Sequence, residues 1–273
     1  TWYKKFNAAI GDPDPKQQAK LAKKMGLTYR CGVGELIWAM TTTRPDVAFA
    51  SVKLSQANSA PDEHHYHGVK HALKYLYTTR DDGIYFWRTA PRLEFKEGPV
   101  PTINSNKQDL LLENRPNHDA TTVHAYADSD WATCPKTRRS FGGACLRLAG
   151  GTITYKCKFQ PTVAGSSTEA EFIAAYDVAK AVKYIRSILR DLKFLDDKPT
   201  KIFIDNESAL KIINDNHSPT ARTRHLDIRY FALQDWKADG DIEMVHIPGI
   251  VNPSDDLTKP LGWILHERHC RRT

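Results

Sequence analysis

Two strand-like runs joined by a hairpin and followed by a long amphipathic helix lie in the middle of this chain. The runs span residues 141–148 and 152–159, and Ala149-Gly150-Gly151 between them is a hairpin signal. A helix is predicted over residues 168–193, where apolar residues repeat at steps of four and three. That stripe consists of Val178, Val182, Ile185, Leu189 and Leu192. The combination predicts a sheet with a helical layer packed on it.

Further strands flank this unit and complete the predicted sheet. They are VHAYAD at 123–128, KIFID at 201–205 and IEMVHI at 242–247. Helices are predicted at 207–214 and 226–237, and a last helical turn near Ser254. The order β-β-β-α-β-α-α-β-α combines a meander with β-α-β crossovers. It therefore predicts an α/β fold with a mixed five-stranded sheet flanked by helices.

The chain before this sheet has a different pattern. Residues 1–88 are predicted to form a small, mainly helical segment, with helices that start near Gly34, near Asp46 and after Pro61. Residues 89–122 contain several Pro, Asn and Asp residues and show little periodicity, which is typical of a linker. We therefore expect a helical segment at 1–88, a linker at 89–122 and a second domain at 123–273.

Charge and cysteine content narrow the class of partner. The net charge of +7 and the pI of about 9.1 favour a polyanion as the binding partner, most simply a nucleic acid. No apolar run approaches the length of a membrane span, so no membrane partner is expected. The five cysteines include no CxxC pair, which favours a reducing compartment. The first residues contain no Met and no signal pattern, so we interpret the chain as a fragment of a longer protein.

Four acidic residues stand where strand ends and helix starts are predicted: Asp128, Glu171, Asp205 and Asp255. Such positions gather at one rim of an open α/β sheet. Converging carboxylates repel one another unless cations neutralise them, and oxygen-only ligands select a hard ion such as Mg²⁺. Two such ions can activate water and stabilise the leaving oxygen of a phosphodiester.

Most of these carboxylates also have a simpler interpretation. The alternatives are a capping box for Thr168 and Glu171, helix-start charge for Asp255 or Asp256, and a turn at Asp205-Asn206. Asp128 is harder to explain in this way, because a strand rich in Ala and Tyr gains nothing from it. The set of four therefore supports a catalytic hypothesis better than any single member does.

Seven motifs follow one another through residues 123–262. They are YADSDW at 126–131, RRSFGG at 138–143, GGTITY at 150–155, QPTVAGSSTEAEFIA at 160–174, FIDNE at 203–207, RTRHLDIRY at 222–230 and NPSDDLTKPL at 252–261. In order and spacing they closely resemble the ribonuclease H domain of Ty1/copia-type retrotransposon polyproteins. Residues 29–86 resemble the segment of these polyproteins between the polymerase palm and that domain.

The resemblance implies a ribonuclease H-like fold, preceded by a helical segment like the thumb or connection of a reverse transcriptase. It implies hydrolysis of the RNA strand of RNA/DNA hybrids during reverse transcription, which leaves 5′-phosphate and 3′-hydroxyl ends. It also implies two Mg²⁺ ions, with Mn²⁺ as a substitute, and no small-molecule cofactor. The expected partners are the hybrid and the polymerase part of the same polyprotein. The expected location is intracellular, in a cytoplasmic virus-like particle or in the nucleus.

The resemblance also assigns roles to the four carboxylates. Asp128 would bridge both ions, Glu171 and Asp205 would complete one ion site, and Asp255 would hold the ion that activates the attacking water. Asp255 is preferred to Asp256 because the family pattern Asn-x-x-Asp-x-x-Thr-Lys is matched by Asn252, Asp255, Thr258 and Lys259. Asp130, two residues beyond Asp128, is expected to support the site without binding metal.

Two basic groups are candidates for contacts with the phosphates of a hybrid, which would make affinity fall with salt. They are Lys136, Arg138 and Arg139, and then Arg222, Arg224, His225 and Arg229. Solvated turns and helix faces are the alternative for both groups. His64, His67 and His71 share one face of a predicted helix, but no carboxylate or cysteine partner of suitable pattern is evident, so zinc is disfavoured there. His266, His269 and Cys270 near the end look similar and give an equally weak indication of a metal site.

The sequence departs from the family pattern in several places, including Cys134, and two other functions are alternatives. Residues 247–254 contain no His, although cellular ribonucleases H place one before the last Asp. No Tyr-x-Asp-Asp polymerase motif is present, and the linker is longer than expected. One alternative is a catalytically inactive or domesticated copy that binds hybrid or supports a polymerase subunit. Another is an integrase or transposase, although these enzymes have an Asp, Asp, Glu order.

Overall fold

The computed structural model describes residues 11–86, 122–194, 198–214 and 227–270. Within these ranges a group of helices comes first and a five-stranded sheet with its own helices follows. None of the helices in the described ranges is both long and apolar enough to cross a membrane.

The amino-terminal helices are α1 (Pro15–Met25), α2 (Tyr29–Thr42), α3 (Ala48–Ser55) and α4 (Glu63–Thr78). A 3₁₀ turn at Pro45–Val47 joins α2 to α3. Helices α2 and α4 share an apolar core in which Tyr29, Val33 and Leu36 pack with Tyr66 and Val69. The segment is therefore mainly helical, as predicted, and has a core of its own.

The sheet has the hydrogen-bonding order β3-β2-β1-β4-β5. Its strands are β1 (His124–Asp130), β2 (Phe141–Leu148), β3 (Gly151–Phe159), β4 (Thr200–Ile204) and β5 (Ile242–His246). The first three strands form an antiparallel meander, whereas β4 runs parallel to β1 and β5 runs parallel to β4. This arrangement confirms the predicted α/β fold with a mixed five-stranded sheet flanked by helices.

One face of the sheet is covered by helices that follow the meander. These are α5 (Ser167–Asp191), α6 (Glu207–Asn214) and α7 (Asp227–Ala238). A further helix, α8 (Trp263–Cys270), follows them in the chain. Phe172, Val178 and Val182 of α5 are buried in one cluster with Ala125 and Ala127 of β1. Ala125 and Ala127 are alternate residues of β1, so they lie on the same face of the strand. Their small side chains leave room for the bulky side chains of α5.

The helical segment covers the opposite face of the sheet. Tyr126, between those two alanines, packs with Cys145 and Leu257 and with Ala48 at the start of α3. The next residue, Phe49, meets Phe141 of β2 with 5.2 Å between ring centroids. The central strand is therefore buried on both sides, by α5 on one and by the helical segment on the other.

Several element boundaries differ from those predicted. Helix α2 begins at Tyr29 instead of near Gly34, and its Gly32 lies so close to Val69 that a Cβ would come within 2.6 Å of that side chain. Leu192 does not belong to the buried stripe, because α5 ends at Asp191 and Leu192 is 63% exposed. Helix α8 was not predicted, since its residues WILHERHC show no clear apolar face.

The predicted linker at 89–122 lies, apart from Thr122, outside the described residues. The division of the chain at 1–88, 89–122 and 123–273 therefore stays a prediction.

Candidate active site

The parallel pairing of β1 with β4 places two acidic residues side by side. Tyr126 is the register partner of Phe203, and their rings stack with centroids 5.1 Å apart. Two residues further along each strand, on the same face, come Asp128 and Asp205. Asp128 is 2% exposed within β1, which continues to Asp130, and Asp205 follows the last residue of β4.

A 3₁₀ turn at Pro253–Leu257 brings the third carboxylate, Asp255, to the same place. Buried Asn252 begins this turn. Its side-chain amide donates to the backbone oxygen of Ala127 at 2.8 Å, and its Oδ1 accepts from the N–H of Ser254 at 3.2 Å. One side chain therefore both caps the turn and fixes it to β1.

The turn also needs a close approach to β2. A Cβ on Gly143, the register partner of Asp128, would lie 2.9 Å from the backbone oxygen of Ser254 and 2.6 Å from a methyl carbon of Thr258. The absence of a side chain at Gly143 lets the turn lie directly against the strand.

These elements bring three of the four predicted carboxylates together. Oxygens of Asp128, Asp205 and Asp255 all lie within 4.8 Å of one another. The ammonium group of Lys259 lies 2.9 Å from an oxygen of Asp255 and 4.0 Å from one of Asp128. The hydroxyl of Thr258 donates a hydrogen bond to Asp128.

Glu171, the fourth predicted residue, lies beside this group on α5. Its Oε1 accepts hydrogen bonds from the backbone N–H and the hydroxyl of Ser129, both at 3.0 Å. Its Oε2 is buried and accepts no hydrogen bond from the part of the chain that the structure describes. An unsatisfied buried carboxylate oxygen is costly, and a cation would satisfy it.

Crowding of negative charge changes the proton affinity of these groups. Burial, together with the charges of Asp128 and Asp205, raises the pKa of Glu171 well above its ordinary range. Burial and the charge of Asp128 also raise the pKa of Asp255 to about 7. The same two causes raise the pKa of Asp205, and the charge of Lys259 opposes both shifts. The site therefore holds more negative charge than its own residues neutralise.

This donor set suits a hard divalent cation. Every candidate ligand atom is a carboxylate oxygen, and such ligands favour Mg²⁺ over softer metals. Asp128, Asp205 and Asp255 would hold the ion, and Glu171, which interacts electrostatically with Asp128 and Asp205, has an unsatisfied buried oxygen to offer. The chemistry available to such a group is cation-assisted hydrolysis of a phosphate ester.

The simpler interpretation of two carboxylates does not fit their local geometry. The cap of α5 is Ser166, whose side chain accepts from the N–H of Glu169 at 3.1 Å, so Thr168 and Glu171 form no capping box there. After β4 it is Asn206, not Asp205, that accepts from a helical N–H, that of Ala209 at 2.9 Å. Neither Glu171 nor Asp205 is needed to start its helix.

Asp130 lies near the site but outside the three-carboxylate group. Burial and the charge of Asp128 raise its pKa to about 6.

The predicted nucleic-acid contacts fall at different places. Lys136, Arg138 and Arg139 are exposed in the turn between β1 and β2, directly after the strand that carries Asp128. Arg229 lies on α7, with its guanidinium 5.9 Å from the ring centre of Tyr176 on α5. Arg222, Arg224 and His225 lie outside the described residues.

Sequence reasoning missed three residues at this rim. Lys259 stands out in the sequence only as part of a motif, although its spacing of four from Asp255 is a common ion-pair spacing. His246 ends β5, and its Nε2 lies 3.2 Å from the backbone oxygen of Asp205. A Cβ on Gly249 would come within 2.8 Å of a carboxylate oxygen of Asp205. The last two contacts join distant parts of the chain, so no local pattern could reveal them.

Known transposon polyproteins are similar to this chain in sequence. The chain is 31% identical over 252 residues to the retrovirus-related Pol polyprotein from transposon TNT 1-94 of Nicotiana tabacum. The alignment covers 88% of this chain and 17% of that protein. It is 28% identical over 244 residues to the retrovirus-related Pol polyprotein from transposon RE2 of Arabidopsis thaliana. That alignment covers 89% of this chain and 15% of that protein. The chain thus spans only about a sixth of the length of these relatives.

No family model matches the chain. Among solved structures, LC11-RNase H1 in complex with an RNA/DNA hybrid aligns with a TM-score of 0.38 at 14% identity, over 50% of this chain and 94% of that one.

Proposed function

Since the chain belongs to the retrovirus-related Pol polyproteins of copia-type transposons, we propose that it carries their ribonuclease H activity. The proposed reaction is endonucleolytic hydrolysis of the RNA strand of an RNA/DNA hybrid. The observation that carries the proposal is the meeting of Asp128, Asp205 and Asp255 within 4.8 Å, from three separate elements. Glu171, with its unsatisfied buried oxygen, completes the proposed set.

The residues of the chain have distinct tasks in this proposal. Asp128, Glu171, Asp205 and Asp255 would hold divalent cations, for which we propose two Mg²⁺ ions with Mn²⁺ as a substitute. Bound ions of this kind lower the pKa of water and stabilise the negative charge that develops on a phosphodiester. Lys259 orients Asp255 through its 2.9 Å ion pair, and Thr258 orients Asp128 through its hydrogen bond.

The surroundings of the site support binding of a polyanion. We propose that Lys136, Arg138 and Arg139 contact backbone phosphates, because they are exposed next to the strand that carries Asp128. Arg222, Arg224, His225 and Arg229 remain the second proposed group. His246 lies at the rim with its Nε2 3.2 Å from the backbone oxygen of Asp205, and we propose it as a proton-transfer residue. The polymerase part of the polyprotein is the proposed protein partner.

Incubation with a labelled RNA/DNA hybrid and Mg²⁺ tests the proposal. We expect cuts in the RNA strand with 5′-phosphate and 3′-hydroxyl ends. Asp128→Asn removes a metal-binding charge without changing shape and is expected to slow cleavage at least about 100-fold, because metal ions supply several kcal/mol of transition-state stabilisation. Asp239→Asn, the same exchange at an exposed position after α7, is the matched control and leaves the rate unchanged.

Three outcomes would contradict the proposal. Equal cleavage by wild type and Asp128→Asn would show that the nuclease is a contaminant. Tight hybrid binding without turnover would identify an inactive copy. Joining of DNA ends by the wild type would favour the integrase or transposase alternative.

A further inference from the structure

A second group of metal-ligand side chains lies where the helical segment meets the sheet domain. His266 and Cys270 are four residues apart on α8, so they share one face of that helix. Asp46, from the 3₁₀ turn before α3, faces them from the helical segment. One potential ligand atom of each residue lies within 4.8 Å of the other two.

The distances in this group resemble those of a tetrahedral site. His266 Nε2 and Cys270 Sγ are 3.6 Å apart. A zinc ion bonded to nitrogen at about 2.0–2.1 Å and to sulfur at about 2.3 Å separates the two ligand atoms by about 3.6 Å. The hydroxyl oxygen of Tyr75 lies next to all three residues, 3.2 Å from His266 Nε2, 2.7 Å from an oxygen of Asp46 and 3.8 Å from Cys270 Sγ.

Neighbouring groups hold two of the ligands in position. The other ring nitrogen of His266, Nδ1, lies 2.5 Å from a carboxylate oxygen of buried Asp256. This carboxylate–imidazole pair is the arrangement that orients metal-binding histidines. Arg44 donates to both oxygens of Asp46, at 3.0 and 2.7 Å. Oδ2 also accepts from Tyr75, whereas Oδ1 accepts only from Arg44 among the described residues and keeps a lone pair for a cation.

We propose that Asp46, His266 and Cys270 bind one transition-metal ion, most suitably Zn²⁺, which fastens α8 to the helical segment. The mixed nitrogen, sulfur and oxygen donors select Zn²⁺ over Mg²⁺, in contrast to the carboxylate-only active site. Binding replaces the proton of the Cys270 thiol, which is released to solvent. The inference does not depend on the proposed nuclease activity, because none of the three side chains belongs to the carboxylate group of that site.

Cobalt substitution of the complete 273-residue chain tests the site. The reduced protein is freed of metal with a chelator and titrated with CoCl₂ in excess MgCl₂, which occupies carboxylate-only sites. We expect one equivalent of Co²⁺ with a thiolate-to-cobalt charge-transfer band in the near ultraviolet. Addition of ZnCl₂ removes the band, because Zn²⁺ binds such ligands more tightly than Co²⁺ does.

Matched variants identify the ligands. Cys270→Ser abolishes the band, whereas Cys31→Ser, at an exposed cysteine on α2, retains it. Asp46→Asn weakens Co²⁺ binding at least tenfold while Cys270 remains in place, which covers the case that Cys270→Ser fails to fold. Absence of the band in the wild type, its survival in Cys270→Ser, or unchanged affinity in Asp46→Asn would overturn the proposal.

Discussion

The carboxylates of the proposed active site are buried close together, and this placement couples stability to pH. The pKa of Asp255 is raised to about 7 in the folded chain, mainly by burial and then by Asp128, whereas an unfolded chain has a value of about 4. Between these values the folded state binds more protons than the unfolded state. Without divalent metal, the contribution of Asp255 to stability is therefore lost as pH rises from about 4 to about 7.

Urea unfolding in chelator checks this sign. We expect wild type to lose free energy of unfolding relative to Asp255→Asn as pH rises through that window, since the amide carries no charge. Addition of Mg²⁺ is expected to stabilise wild type more at pH 8 than at pH 5, because the carboxylates must ionise to bind it. A difference between the two proteins that is constant with pH would contradict the coupling.

Single residues were predictable where a local pattern pointed to them. Asp128 and Asp205 stood out because they follow apolar strand residues, and the parallel register does place them side by side. Glu171 could not be separated from a capping role in the sequence, because the true cap, Ser166, lies only two residues before Thr168. The ion pair of Lys259 and the contact of His246 depend on geometry that a motif does not contain.

Among the elements, the 3₁₀ turn at Pro253–Leu257 depends most on one neighbouring residue. Gly143→Ala would place a Cβ 2.9 Å from the backbone oxygen of Ser254, which can move only with the turn. We expect a loss of about 1–3 kcal/mol in the free energy of unfolding and slower hybrid cleavage, since Asp255 moves with the turn. Thermal or urea unfolding and a cleavage assay measure the two effects.

Gly142→Ala is the matched control for this change. Gly142 is adjacent on β2, and the nearest atom to a Cβ there is 3.7 Å away, an ordinary contact distance. We expect near-wild-type stability and cleavage. If both variants behaved alike, the close contact between β2 and the turn would not control the site.

The order of elements in the sheet domain was predictable except for α8, and their packing was predictable only in part. Steps of four and three residues identified α5, and the hairpin signal identified β2 and β3. The sequence did not predict that the helical segment covers the face of the sheet that carries Tyr126. That contact joins residues far apart in the chain, and Ala48 has no local feature that identifies its partner.

At the scale of the whole molecule, positive charge should govern binding of the hybrid. Each phosphate contact releases counterions, so it contributes about one unit to the slope of log affinity against log salt. We expect the triple variant Lys136→Gln, Arg138→Gln and Arg139→Gln to bind more weakly and to lower that slope by up to about 3. Binding isotherms at several salt concentrations measure it.

A triple variant of α1 is the control for net charge. Lys16→Gln, Lys20→Gln and Lys23→Gln remove the same charge from exposed positions on another element. The slope of log affinity against log salt for this variant should stay near that of wild type. Equal slopes for the two triple variants would show that overall charge, and not a local contact, attracts the hybrid.

We expect burial of β1 between α5 and the helical segment to limit how related transposons exchange their parts by recombination. A crossover within residues 89–122 would join the face around Tyr126 to a foreign partner of Ala48 and Phe49. Such chimeras should inherit mismatched surfaces, whereas crossovers before Pro15 would transmit both halves of the contact together. We therefore expect the helical segment and the sheet to be inherited together.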